Sequence, residues 1–193
     1  GSHVRFHAEC DDLLGVGDLP PLVEDTSFIG VTLRGWWERM LHDVRKPGHR
    51  ASFRNVLTGH LSIRRAHFNA LGGFDPALHC HEDWEFGYRA MKADLQIRFV
   101  AGACARHHET STLPKILKRK FDEGVADIQL FSRHPELAPT LPFYWPPRGR
   151  KARMLMRLAW YAGPDAAIAR GLQLQMSIAE SLRMRGRWRR ALN

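Results

Sequence analysis

The sequence predicts an α/β domain followed by helices, and three patterns lead to this prediction. Apolar and polar residues alternate over Leu61 to Arg64, which is typical of a half-buried strand. Apolar residues recur at helical spacing between Glu82 and Lys92, and again along residues 113–131. The chain has 193 residues, of which 44% are hydrophobic, so it is long enough to bury the core of one soluble domain.

The domain boundaries follow from composition. Residues 1–3, Gly-Ser-His, resemble a remnant of tag cleavage and are set aside. Residues 4–138 carry the α/β pattern, residues 139–150 form a proline-rich link, and residues 151–193 form a basic tail. Within the tail, the spacing of apolar residues predicts helices over about 151–161 and 164–185.

The net positive charge lies at the end of the proline-rich link and in the tail. From Arg148 onward there are eleven Lys or Arg and two acids, which accounts for the whole net charge of +9. Arg and Trp together on amphipathic helices favour contact with an anionic membrane surface, and a solvated basic face is the alternative. No recognised nucleic-acid-binding motif accompanies the charge, so we predict no nucleic-acid partner.

The cysteines and the hydropathy of the sequence indicate the cellular compartment of the protein. Cys10, Cys80 and Cys104 form no paired framework, which suits a reducing compartment. We recognise no secretory signal and no apolar run of membrane-spanning length in the sequence. The sequence therefore predicts a cytoplasmic protein, soluble or peripheral to a membrane.

The first part of the domain is predicted as strand, helix and turn. Asp11-Asp12 looks like a loop entering a strand at Leu13. Residues 33–44 are predicted to form a helix, with Trp36, Met40, Leu41 and Val44 on one side, Trp37 on another, and one of the two tryptophans in the core. Residues 46–50 are predicted to form a flexible turn.

Glycines mark the next elements. Gly59 precedes the strand 61–64 and allows another group to approach the backbone closely, either a ligand or a packed side chain. Gly72-Gly73-Phe74-Asp75 is predicted as a turn, because glycine permits positive φ and Asp favours turn geometry.

The helix from Glu82 to about Lys92 opens on acidic residues, Glu82, Asp83 and Glu85. The helical spacing predicts a buried face made by Trp84, Gly87, Tyr88 and Met91. For Asp83 two interpretations stay open: a cap that satisfies the first N–H groups of the helix, or a general base at a pocket floor.

Two strands are predicted next, Gln96 to Val100 and Ala103 to Arg106, with His107 at the end of the second. Residue types that can bind zinc occur in two short runs, His79-Cys80-His81 and His107-His108-Glu109. Neighbouring side chains in an extended segment point in opposing directions, and neither run has the spacing of a zinc motif, so a zinc site is disfavoured. A later helix is expected to carry its apolar side at Leu113, Ile116, Leu117, Phe121, Val125, Ile128 and Phe131.

The stretch from Thr58 to Glu109 strongly resembles a known family. The segments are T-G-H-L-S-I-R-R, L-G-G-F-D, H-E-D-W-E-F-G-Y-R and R-F-V-A-G-A-C-A-R-H-H-E. Their order and spacing resemble the acceptor half of inverting family-two glycosyltransferases. The resemblance implies a partial GT-A domain, of the nucleotide-diphospho-sugar transferase type, without the nucleotide-binding half that carries Asp-x-Asp.

The resemblance also implies roles for individual residues. Asp83 would be the catalytic base, and His107 would help to hold a divalent cation, Mn or Mg. The acceptor would be bound by Glu82, Trp84, His81 and Trp36, and the donor by Gly59, His60 and Arg64. The implied reaction transfers a sugar from a nucleotide-sugar donor to a hydroxyl of a sugar or other acceptor, with inversion.

Without the nucleotide-binding half, we expect this chain alone to be inactive. Strands such as Gln96 to Val100 would then lack neighbours, and the chain would self-associate or pair with another polypeptide. The alternative functions are a non-catalytic acceptor or carbohydrate-binding module and a membrane-docking scaffold.

Overall fold

The computed structural model describes residues 1–9, 11–24, 27–141, 149–150 and 154. The chain divides into two compact units, one formed by Gly1–Thr26 with Gly30–Thr110 and the other by Ser27–Ile29 with Ser111–Asn193. The predicted tail helices, most of the proline-rich link and Cys10 lie outside the described residues.

Five helices, five strands and three short 3₁₀ turns make up the described part of the chain. In order they are α1 Ser2–Glu9, β1 Leu13–Asp18, β2 Pro21–Leu22, α2 Phe28–Val44, the 3₁₀ turns Phe53–Asn55 and Thr58–His60, β3 Leu61–Ile63, α3 Arg65–Ala70, α4 Glu82–Lys92, β4 Gln96–Cys104, β5 His107–His108, α5 Leu113–Arg133 and the 3₁₀ turn Pro135–Thr140. The predicted loop-to-strand entry at Leu13, the strand at Leu61 and the helix from Glu82 to Lys92 are confirmed.

Strand β1 is the centre of a three-stranded sheet. It runs antiparallel to β3, with Leu14 opposite Ile63, and parallel to β4, with Leu14 opposite Ile97. Leu13 and Leu14 are at most 1% exposed, as expected for a strand paired on both edges. The expectation that Gln96 to Val100 would lack neighbours is therefore wrong, because β1 pairs with that strand along one edge.

The two strands predicted over 96–106 are one strand, β4, of nine residues. Gly102 lies inside it without a positive φ, so the glycine does not interrupt the strand. His107 does not end this strand; it begins β5, which pairs parallel with β2 through Pro21 opposite His107.

Helix α2 is longer than predicted, and its buried residues come from both of the sides described above. Trp37, Leu41 and Val44 are 6%, 2% and 5% exposed, whereas Trp36 is 39% exposed. Trp37 and Leu41 form a cluster with Leu19. One of the two tryptophans is in the core, as predicted, and it is Trp37.

The buried side of α4 also differs from the prediction. Phe86 and Ala90 are fully buried and pack in the main core with residues of both sheet and loop: Leu14, Val16, Val56, Leu95 and Ile97. Of the residues predicted to be buried, Gly87 is buried, Trp84 and Tyr88 are half-buried, and Met91 is exposed. The buried face also includes Glu85, which is 3% exposed.

Helix α5 exists as predicted, but its apolar row faces outward. Phe121, Val125, Ile128 and Phe131 are exposed, while Ala126, Asp127 and Leu130 are buried. The predicted apolar row is present, and these four residues of it are exposed. Within the described ranges, no helix combines the length and the apolar character that crossing a membrane would require.

Candidate active site

The start of α4 is fixed by an ion pair between Glu85 and Arg89. The Glu85 carboxylate is buried and accepts hydrogen bonds from Arg89 Nε at 2.8 and 2.9 Å and from Nη2 at 2.7 Å. The same guanidinium donates to the carbonyls of Leu71 and Gly73. Gly72 and Gly73 have φ values of 79° and 70°, so the predicted glycine turn is confirmed and α4 is attached to it.

Asp83 lies in the first turn of α4 with its carboxylate held by backbone N–H groups. The N–H of Trp84 donates to Asp83 Oδ1 at 2.8 Å, and the N–H of Thr58 also donates to the carboxylate. Burial, followed by the neighbouring charge of Glu82, raises the pKa of Asp83 to about 6. These two effects outweigh the N–H bonds, which favour the charged form. Asp83 is thus a stronger base than an ordinary carboxylate and is still ionised at neutral pH.

Aromatic and cationic groups surround Trp84, next to Asp83. The His81 ring stacks on the Trp84 ring with centroids 3.9 Å apart and an interplanar angle of 12°. The Arg54 guanidinium carbon lies 5.2 Å from the Trp84 ring centroid. His81 has φ of 59°, the left-handed region, just before α4 begins. Three of the four predicted acceptor-binding residues, His81, Glu82 and Trp84, therefore adjoin Asp83.

The predicted donor-binding residues make internal contacts. A Cβ at Gly59 would lie 2.8 Å from Leu19 Cδ2, so a packed side chain occupies the gap that the glycine leaves. His60 Nδ1 donates to the Asp18 carbonyl at 2.9 Å, since a carbonyl can only accept. Arg64 pairs with Asp11 at 2.5 Å. These residues lie together around β1 and β3.

His107 lies in a second cluster with Trp37 and Glu109. Its ring centroid is 4.6 Å from that of Trp37, and its Nε2 is 3.8 Å from Glu109 Oε2. The Trp37 indole N–H donates to the same carboxylate oxygen at 3.2 Å. Trp36, the fourth predicted acceptor residue, packs edge-on against Trp37 with centroids 5.2 Å apart. Trp36 thus belongs to the surroundings of His107 and not to those of Asp83.

The residues around His107 do not make up a divalent-cation site. Manganese and magnesium favour several oxygen ligands, whereas His107 is joined here by one carboxylate that already accepts the Trp37 N–H. Across the described ranges, no group of three or more His, Cys, Asp or Glu side chains could hold a metal ion. His107 could contribute one ligand to a site completed by other groups.

Sequence reasoning missed three contributors to these clusters. Thr58 donates to Asp83 through its backbone, which no side-chain pattern reveals. Arg54 reaches Trp84 from a segment that lacks periodicity. In the sequence Glu109 is conspicuous only as a neighbour of two histidines, although a carboxylate directly after a strand residue is a detectable signal for a polar contact at that strand end.

The fold and the site together define an α/β domain in which a carboxylate with a raised pKa opens a helix beside an aromatic surface. Residues 32–125 match the family described as Glycosyltransferase like family 2, a segment that includes β3, α3, α4, β4 and β5. The matched segment is just under half of the chain and is similar to that family, which confirms the resemblance drawn from the motifs. A comparison with curated proteins gives no match.

Proposed function

We propose that this domain transfers a sugar from a nucleotide-sugar donor to an acceptor hydroxyl with inversion at the anomeric carbon. The family match supports a glycosyltransferase at the level of the family. The observation that carries the finer proposal is the state of Asp83, whose pKa is raised to about 6 at the head of α4.

In the proposed reaction, Asp83 accepts the proton of the acceptor hydroxyl. The hydroxyl oxygen forms a bond to the anomeric carbon as the bond from that carbon to the nucleoside diphosphate breaks, and the diphosphate leaves with the electron pair. Attack opposite the leaving group gives inversion. A base with a pKa near the working pH serves this step well, because it is ionised in the resting protein and still holds the proton once transferred.

The neighbours of Asp83 suit recognition of a sugar acceptor. The stacked rings of His81 and Trp84 place an aromatic pair beside the base, and the Arg54 guanidinium lies over the Trp84 ring. Aromatic faces pack well against the apolar side of sugar rings. Glu82 adds a hydrogen-bond acceptor next to the base and also strengthens it by raising its pKa.

The experiment is sugar transfer by the natural full-length protein, comparing Asp83→Asn with the wild type over a panel of nucleotide sugars. We expect turnover to fall by at least ~100-fold, the scale of a lost general base, with donor affinity retained. Asp43→Asn is the control, because Asp43 is an exposed carboxylate paired with Lys46. Near-native turnover by Asp83→Asn would show that Asp83 is a helix cap.

A second candidate is a non-catalytic carbohydrate-binding module. It is favoured by the internal contacts of Gly59, His60 and Arg64, which leave these groups engaged with Leu19, Asp18 and Asp11. Binding of an acceptor sugar with no affinity for any nucleotide sugar in the full-length protein would support this candidate over the transferase.

A further inference from the structure

Helix α5 carries an exposed apolar row that the proposed transferase chemistry does not use. Phe121, Val125, Ile128 and Phe131 are 60%, 45%, 51% and 39% exposed. Their spacing of four, three and three residues keeps them on one side of the helix. Leu130 and Ala126, on the opposite side, are buried. The helix therefore has two apolar sides, whereas a surface helix normally turns its polar side to water.

Positive charge flanks this exposed row. Lys118 and Lys120 lie on either side of Phe121, because successive residues are rotated by about 100° around a helix. They pair with Asp122 and Glu123 at 2.6 and 2.5 Å, yet their side chains remain 75% and 57% exposed. Such long side chains can extend their ammonium groups toward an outer surface while their stems stay beside the apolar row.

The position of the charges along α5 is unfavourable for an isolated helix. Lys115, Lys118, Arg119 and Lys120 all lie in its first half, and its first turn contains no acidic residue. Cations near a helix N-terminus oppose the helix dipole. A negatively charged surface alongside the helix would offset this cost.

We propose that α5 lies in the interface of an anionic lipid bilayer, with Phe121, Val125, Ile128 and Phe131 at the boundary between headgroups and acyl chains. An apolar row bordered by lysines is the pattern of an interfacial helix. The sequence that follows is also strongly basic, with eleven Lys or Arg against two acids from Arg148 onward. A second copy of the chain is a poorer occupant, because pairing would bring lysine-rich helices together.

The test is flotation of the full chain with vesicles of phosphatidylcholine containing about a quarter phosphatidylglycerol, and with vesicles of phosphatidylcholine alone. The variant is Phe121→Ser with Ile128→Ser. The matched control is Val4→Ser with Met91→Ser, which removes two exposed apolar side chains from the first unit. Because all four positions are exposed, we expect each variant to fold, and circular dichroism checks the helix content.

We expect the wild type and the control to float with anionic vesicles and the α5 variant to lose at least tenfold in partition. Repeating the assay at about 0.5 M salt screens purely electrostatic binding by the basic sequence after Arg148, so the difference between variant and control should persist. Equal flotation of variant and wild type would overturn the proposal, as would failure of the wild type to bind anionic vesicles. A wild type that sediments as a dimer without lipid, and becomes a monomer in the α5 variant, would assign the face to self-association instead.

Discussion

Replacing Asp83 by Asn is expected to stabilise the fold at neutral pH, although it removes the proposed base. In the folded protein, burial and then the charge of Glu82 raise the Asp83 pKa from 3.8 to about 6. A raised pKa means that folding favours the protonated acid. The stability contributed by Asp83 is therefore fully present below the unfolded pKa of 3.8 and is lost as the pH rises through about 6. Asn, which does not ionise, avoids this loss.

The size of the effect follows from the shift. A shift of about 2 units corresponds to an upper bound of about 3 kcal/mol in the free energy of unfolding. Asp83 is half-buried, so water screens part of this cost. Asn also offers one acceptor oxygen where the carboxylate offers two to the N–H groups of Thr58 and Trp84, a loss of about 1 kcal/mol. We expect a net gain of about 1 to 2 kcal/mol above pH ~7 and a small net loss below pH ~4.

Denaturant unfolding between about pH 4 and pH 8 measures this change, together with amide exchange along α4. Asp43→Asn serves as the control, because the hydrogen bond and charge of Lys46 lower the Asp43 pKa, and its replacement should give no gain that grows with pH. If the difference between Asp83→Asn and the wild type is the same at every pH, Asp83 ionises in the fold as it does in the unfolded chain. The argument for Asp83 as a base with an elevated pKa would then fail.

The remaining predictions concern packing and ligand binding. Gly87→Ala should destabilise the fold by about 1 to 2 kcal/mol, because its Cβ would lie 2.6 Å from Val56 Cγ2 and 3.2 Å from the Phe53 carbonyl oxygen. Gly124→Ala in α5 should instead stabilise by up to ~1 kcal/mol, since nothing lies within 4 Å of its Cβ. Chemical unfolding measures both variants. A change in the free energy of unfolding that has the same sign in the two variants would contradict the argument. Titration calorimetry of this chain should show weak or no binding of manganese and nucleotide sugars, because His107 has too few partner ligands, whereas micromolar binding would contradict this.

The local elements could be predicted from the sequence because their signals are local. The limits of α4 follow from the acidic first turn and the apolar spacing, and the turn before it follows from Gly72 and Gly73, whose positive φ values require glycine. The strand at Leu61 follows from alternation. In each case the residues that decide the structure are neighbours in the chain.

The buried faces could not be predicted, because they depend on distant partners. Glu85 is buried next to Arg89, which neutralises it and bridges to the turn at Leu71 and Gly73. Trp37 is in the core rather than Trp36, since its N–H meets the carboxylate of Glu109. The exposed row of α5 has the periodicity of a core-facing helix, and periodicity alone does not identify what covers a face.

The three carboxylates at the start of α4 have different neighbouring groups, and this difference identifies Asp83 as the candidate base. Glu85 receives a guanidinium in a bidentate pair, so its burial is compensated by a cation. Asp83 is held by the N–H groups of Thr58 and Trp84, with Glu82 as the neighbouring charge. N–H groups hold a carboxylate in place without neutralising it. The burial of Asp83 therefore raises its pKa, whereas the burial of Glu85 is offset by an ion pair. A carboxylate fixed in position but left basic meets the requirement for accepting a proton from a hydroxyl.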